Sequence, residues 1–321
     1  MRSLLASLLL FLLAPALPAP VPAADGEAPF VLGVLRRDGV VLPFASFKGK
    51  DWQSRWPGDI RSMELPLLLG DVPPGWWGRA AAPGPMTIWR DGAARGTITL
   101  DRPVIVTPAC ERRIGITSNY KAGELPPPPI VRPYPKDGLV SSGPQPIDAI
   151  EAVQPGTRDM MGAALVLLDP MDKAEQEAID QFTDWKHPLP RQERRKIPIE
   201  IEALYRVPMD EVGWFAYHVE AVKRYAPEPT DEGCGLITSA SGWIALGPKG
   251  KMWTQISARV TYCDRKGVAY FLPLGLMHMG GRTYWIFQTS GYDLEWYSIA
   301  RPTSKGILVE AGYTAGRCGG F

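Results

Sequence analysis

The chain is poor in the residues and patterns that most catalytic chemistry needs. Its 321 residues include three histidines, His187, His218 and His278, and no HExxH joins any of them. A zinc site of the common kind needs two or three such ligands at short spacing, so no metal is expected. No GxSxG occurs, which removes the nucleophile elbow of an α/β-hydrolase. Gly247-Pro248-Lys249-Gly250-Lys251 lacks the leading glycine and closing Ser or Thr of a phosphate loop. It reads instead as a hairpin turn between Trp243–Leu246 and Trp253–Ser257. No cofactor is expected, and no catalytic residue is nominated.

An excess of either charge is also missing, with 35 Lys and Arg against 34 Asp and Glu. A nucleic-acid footprint needs a basic patch, and attraction to an anionic membrane needs basic clusters, so neither partner is expected. Asparagine occurs once, as Asn119 in Asn119-Tyr120-Lys121, so there is no glycosylation sequon. That scarcity, with arginine favoured over lysine, reads as a GC-rich bacterial coding bias.

Long apolar runs are confined to one place. Met1-Arg2 precedes Leu4–Leu13, the run breaks at Ala14-Pro15, and small residues lead through Pro22-Ala23-Ala24. A charged start, an apolar stretch of about ten residues and a small-residue exit make a signal peptide spanning 1–23. A bilayer span needs about 20 apolar residues, which the chain offers nowhere, so no membrane span is expected after cleavage. The expected location is secreted, periplasmic or extracellular.

Cysteine is sparse: Cys110, Cys234, Cys263 and Cys318, with no CxxC. An even number in an exported chain suggests two disulfides, and three pairings are possible. Loop economy favours Cys234–Cys263 with Cys110–Cys318. Closing the shorter loop would add roughly 3.5 kcal/mol on the chain-entropy argument.

What the chain does have is short apolar runs broken by Gly, Pro and Asp. Val31–Leu35 and Val40–Phe44 flank Arg37-Asp38-Gly39. Met86–Arg90 and Gly96–Leu100 flank Asp91-Gly92. Both are strand, tight turn, strand. Ile197, Ile199, Ile201 and Ala203 alternate with glutamates, and Pro198 puts that strand at an edge or a start. Apolar runs continue from Trp214 to Glu310. The expected fold is therefore mainly β, a propeller-like or duplicated β-sandwich architecture.

One amphipathic helix is expected to interrupt it, at about 172–186. Asp172 and Glu175 have capping-box spacing, and Ala174, Ala178, Phe182 and Trp185 share a face. His187-Pro188 would end it. The expected organisation is a β region over 24–124, a proline-rich linker or loop over 125–136, and a second β region with the inserted helix over 137–321.

A faint internal echo supports duplication. Gly39 to Trp52 and Gly267 to Trp285 both read as a glycine turn, a strand carrying Leu-Pro, a glycine-basic turn and a tryptophan. Ile116-Thr117-Ser118 and Ile237-Thr238-Ser239 form a second echo.

Aromatics are the remaining resource, with eleven Trp and eleven Tyr. Flat rings with a polar edge suit sugars and partner surfaces. Trp76 and Trp77, adjacent in a proline-stiffened loop, cannot easily both point inward. Tyr284, Trp285 and Trp296 in the last strands complete the candidate ligand-binding set. Met277-His278-Met279 invites a copper reading, but on a strand the methionines face one way and the histidine the other. The expectation is a non-catalytic binding or interaction protein for a glycan or protein ligand. The alternative is a secreted carboxylate-dependent hydrolase of polysaccharide or peptide.

Overall fold

Side-chain alternation along the strands decides how the layers stack. The computed structural model describes residues 27–53, 68–69, 77, 82–123, 136–225, 235–291 and 294–318. The expected signal peptide, 1–23, and residues 125–135 of the proline-rich stretch lie outside them.

The first sheet has eight antiparallel strands: β1 (Glu27–Leu35), β2 (Val40–Gly49), β3 (Asp51–Gln53), β4 (Met86–Arg90), β5 (Ala93–Ile98), β6 (Leu100–Val106), β7 (Arg113–Ser118) and β8 (Gly138–Ser141). Their order is β5-β4-β8-β1-β2-β7-β6, with β3 also paired to β2. β8 pairs with both β1 and β4, so this sheet draws residues from both sides of the proline-rich stretch.

The other two sheets share one construction. β9 (Ile147–Asp148) lies beside a meander of β15 (Tyr270–Met279), β16 (Arg282–Ser290), β17 (Leu294–Thr303) and β18 (Gly306–Arg317). β10 (Glu151–Ala152) lies beside a meander of β11 (Glu200–Pro208), β12 (Phe215–Arg224), β13 (Leu236–Leu246) and β14 (Met252–Tyr262). Each is a two-residue strand followed by four long ones, and residues 138–152 thread all three sheets in turn.

The β15–β18 sheet is the middle layer. Tyr284 and Ile286 pack with Phe30, Leu32, Phe44 and Leu139 of the first sheet. Trp285 and Phe287, pointing the other way, pack with Val207, Ala216 and Trp243 of the β10–β14 sheet. A sheet covered on both faces needs continuous apolar strands, and β16 is buried from Thr283 to Gln288. The far face of the β10–β14 sheet carries Leu204, Tyr217 and Val219 under Ala163, Leu167 and Met171 of a helix. The architecture is mainly β, with antiparallel sheets packed face to face.

The echo around Leu-Pro has a structural counterpart. Gly33 pairs with Pro43 and Leu32 with Ala45, so Phe44 is a bulge. Pro273 pairs with Phe287 and Gly275 with Ile286, so Leu274 is a bulge. In both strands the residue after Leu-Pro is extruded, because proline offers no N–H to the ladder. The second echo has none: Ile116–Ser118 closes β7, whereas Ile237–Ser239 lies near the start of β13.

The helix differs from expectation. α1 runs Arg158–Asp180, and Thr157 caps it by accepting from the Met160 amide. Asp172 and Glu175 are therefore mid-helix and buried, not a capping box. Two features conceal the true start. Met160–Leu168 is apolar all round, so it has no one-sided period, and Pro170 inside the helix reads as a breaker. Phe182 and Trp185 fall beyond its end and pack edge to face on each other, 5.8 Å apart. A four-residue helix, α2 (Arg191–Arg194), follows.

Cys110 and Cys318 are bonded to each other, joining the β6–β7 connection to the end of β18. Cys263 is also disulfide-bonded; Cys234, its expected partner, lies outside the described residues. No helix among the described residues is long and apolar enough to cross a membrane.

Candidate functional site

Turns of the first sheet and the second bulge meet around a cleft of about 360 Å³, lined by Arg37, Trp89, Arg90, Asp91, Lys136, Asp137, Gly138 and Leu272–Leu274. Local sequence dictates each wall. The β1–β2 turn holds its shape because Arg36 and Gly39 bond across it, and the Asp38 carboxylate accepts from the Val40 amide at 3.1 Å. The β4–β5 turn has Asp91 and Gly92 both at positive φ, 52° and 73°, the two-residue type I′ geometry that Asp-Gly favours. Gly138 enters β8 so close to β4 that a Cβ there would lie 2.4 Å from the Trp89 carbonyl oxygen. The bulge at Leu274 presents Leu272-Pro273-Leu274 as the apolar wall.

Several charges in and behind the cleft are paired. Lys136 Nζ lies 3.0 Å from Glu295 Oε2, and both are nearly buried. Burial lowers the Lys136 ammonium pKa, with Glu295 opposing part of that effect. Tyr297 donates to the same carboxylate, and burial, then Glu295, raises its phenol. Tyr120 donates to Asp137 at 2.9 Å. Arg36 grips Asp38 at 2.7 Å; burial acts to raise that carboxyl, but the guanidinium outweighs it and the net shift is downward. One polar group is left over. Trp89 Nε1 is buried with no hydrogen-bond partner among the described residues. A buried N–H without an acceptor costs about 1–3 kcal/mol, and the ring also packs against the core between the first sheet and the middle layer.

No known protein family, curated protein or solved structure matches this chain.

The aromatics singled out in the sequence are mostly core anchors. Trp77 is 2% exposed and covers the outer face of the first sheet, against Val31, Val41 and Ile116. Tyr284 and Trp285 are buried on opposite faces of the middle layer. Tyr284 and Trp285 lie in a strand covered on both faces and Trp77 lies outside the strands, and all three rings are packed into cores instead of standing on the surface. Trp296 is 38% exposed and stands apart from the cleft lining. Trp76 lies outside the described residues. Met277 and Met279 are buried and His278 is exposed, as strand alternation requires. Sequence reasoning missed Trp89, Arg90, Lys136 and Asp137, because the first sits in an ordinary alternating strand and Lys136 closes the proline-rich stretch.

A second cluster lies between the two meander sheets. His218 is stacked on Phe271 at 3.8 Å, with Trp243 edge-on at 4.9 Å. Its Nδ1 and the Trp285 Nε1 are buried without partners among the described residues. Burial alone lowers the His218 pKa to about 3. Unfolded histidine titrates near 6.5, so the stability linked to the neutral ring is complete above about that pH and is lost as pH falls toward the folded value. The expected slope is about 1.4 kcal/mol per pH unit for one proton. Urea midpoints at pH 7 and pH 5 should differ less for His218→Phe than for the parent. An unchanged difference would show that another group sets the acid limb.

Proposed function

We propose that the chain is an exported, non-catalytic binding protein whose ligand is a glycan seated in the Trp89 cleft. The reading rests on a cleft whose lining sets Trp89 among cations, carboxylates and an apolar wall. Arg37, Arg90 and Lys136 line it together with Asp91 and Asp137, so neither sign dominates, as suits a neutral, hydroxyl-rich ligand. Leu272-Pro273-Leu274 suits the apolar face of a sugar ring. The signal-peptide pattern and the Cys110–Cys318 bond support an oxidising, extracytoplasmic location.

A glycan array probed with the oxidised mature chain tests the proposal. Hits should weaken about two- to tenfold with Trp89→Leu, which removes the aromatic ring from the lining and with it a contact of about 0.5–1.5 kcal/mol. Arg90→Ala should weaken the same hits. Binding indifferent to both substitutions would place the ligand elsewhere and end this reading.

A second reading, the carboxylate-dependent hydrolase, draws on Asp91 and Asp137 lining one cleft. Turnover of a bound glycan that disappears with Asp137→Asn while binding persists would favour it over simple binding.

A further inference from the structure

The first half of α1 is apolar on more faces than the fold covers. Ala163 and Leu167 enter the core, but Met161, Leu165 and Leu168 are 57%, 71% and 51% exposed. Spacings of four and three put them on one stripe. Single exposed leucines are ordinary, whereas a contiguous ridge of three calls for a partner. Beside the ridge runs a groove of about 450 Å³ between α1 and the edge of the β10–β14 sheet, with Met160, Ala164, Ile199 and Ile201 in its walls.

We propose that a second copy of this chain docks here across a two-fold axis, with the two α1 helices antiparallel. A two-fold interface must be self-complementary, and a ridge lying alongside a groove meets that requirement: each ridge enters the other copy's groove. The charges fix the direction. Arg158 and Asp169 are both exposed, at opposite ends of the ridge. They are about three helical turns apart, and so lie on the same side of the helix. Antiparallel pairing sets Arg158 against the partner's Asp169 at both ends, whereas parallel pairing sets like charges together. Among the described residues Asp169 has only a surface ion pair to Arg195, at 3.1 Å, to give up.

Sedimentation equilibrium of the oxidised mature chain across the micromolar range tests this. The parent should be a dimer. Leu165→Glu, at a site too exposed to disturb the core, should raise the dimer dissociation constant at least tenfold with unchanged circular dichroism. Arg158→Asp should weaken association, and adding Asp169→Arg should restore it. Dimerisation that survives Leu165→Glu, or a charge reversal that fails to rescue, overturns the proposal. So does a monomeric parent, including one that instead binds phosphatidylcholine vesicles through Leu165.

Discussion

Replacing Cys110 and Cys318 together with serine is expected to destabilise the oxidised chain by about 5 kcal/mol, the entropy of releasing so long a loop in the unfolded state. The bond spans a sequence separation of 208 residues, so the crosslinked unfolded chain loses much of its freedom. It also spans layers. It holds the 3-10 turn Pro108–Cys110, ahead of β7, to the end of β18, where Arg113 Nε donates to the Thr314 carbonyl at 2.8 Å. These are the first sheet and the middle layer, which share the largest aromatic core. Guanidinium unfolding should show a lower midpoint and a steeper slope, because an uncrosslinked chain exposes more surface. A double variant as stable as its parent would mean that packing alone holds the layers and the bond merely accompanies it.

The second large effect centres on Glu175. This fully buried carboxylate accepts from Arg194 Nε at 3.1 Å, lies 3.5 Å from Lys223 Nζ, and accepts from the Tyr225 hydroxyl on its other oxygen. Arg194 also donates to the Leu189 carbonyl and to Gln176, so one cluster ties α1, α2 and β12 together. Burial, then the Glu175 hydrogen bond, raises the Tyr225 phenol far above its usual range. Glu175→Ala leaves two buried cations without their shared counter-charge and should cost about 3–5 kcal/mol. Adding Arg194→Ala and Lys223→Met should recover part of that loss, since the stranded charges go with the side chains. Denaturant midpoints for the single and triple variants decide it. A Glu175→Ala protein as stable as the parent would deny the cluster any structural weight.

Much of the local structure was readable from residue order. Asp91-Gly92 and Arg37-Asp38-Gly39 announced their hairpins because turn geometry depends on a few residues in succession. Met277-His278-Met279 was resolved by alternation alone. A shared bulge was visible in Leu42-Pro43 and Leu272-Pro273, because proline's missing N–H disrupts the ladder in the same way in both strands. α1 was misplaced because its first turns are apolar on every side and Pro170 resembles a stop.

The candidate site was far less legible. Trp89 looks like any strand tryptophan, and Lys136 and Asp137 look like the end of a linker. Their meaning arises only where the β1–β2 and β4–β5 turns, the start of β8 and the β15 bulge come together. Of the rings that looked most available, Tyr284 and Trp285 are buried between layers and Trp77 is buried against the first sheet.

Residue order by itself determined the β character, the turns, the bulges and an even set of cysteines, since each depends on neighbours along the chain. Tertiary structure alone decided which aromatic is buried, which carboxylate is paired and which indole lacks an acceptor. Those properties depend on what packs opposite, and in a stack of sheets the residue opposite is often more than a hundred positions away in sequence.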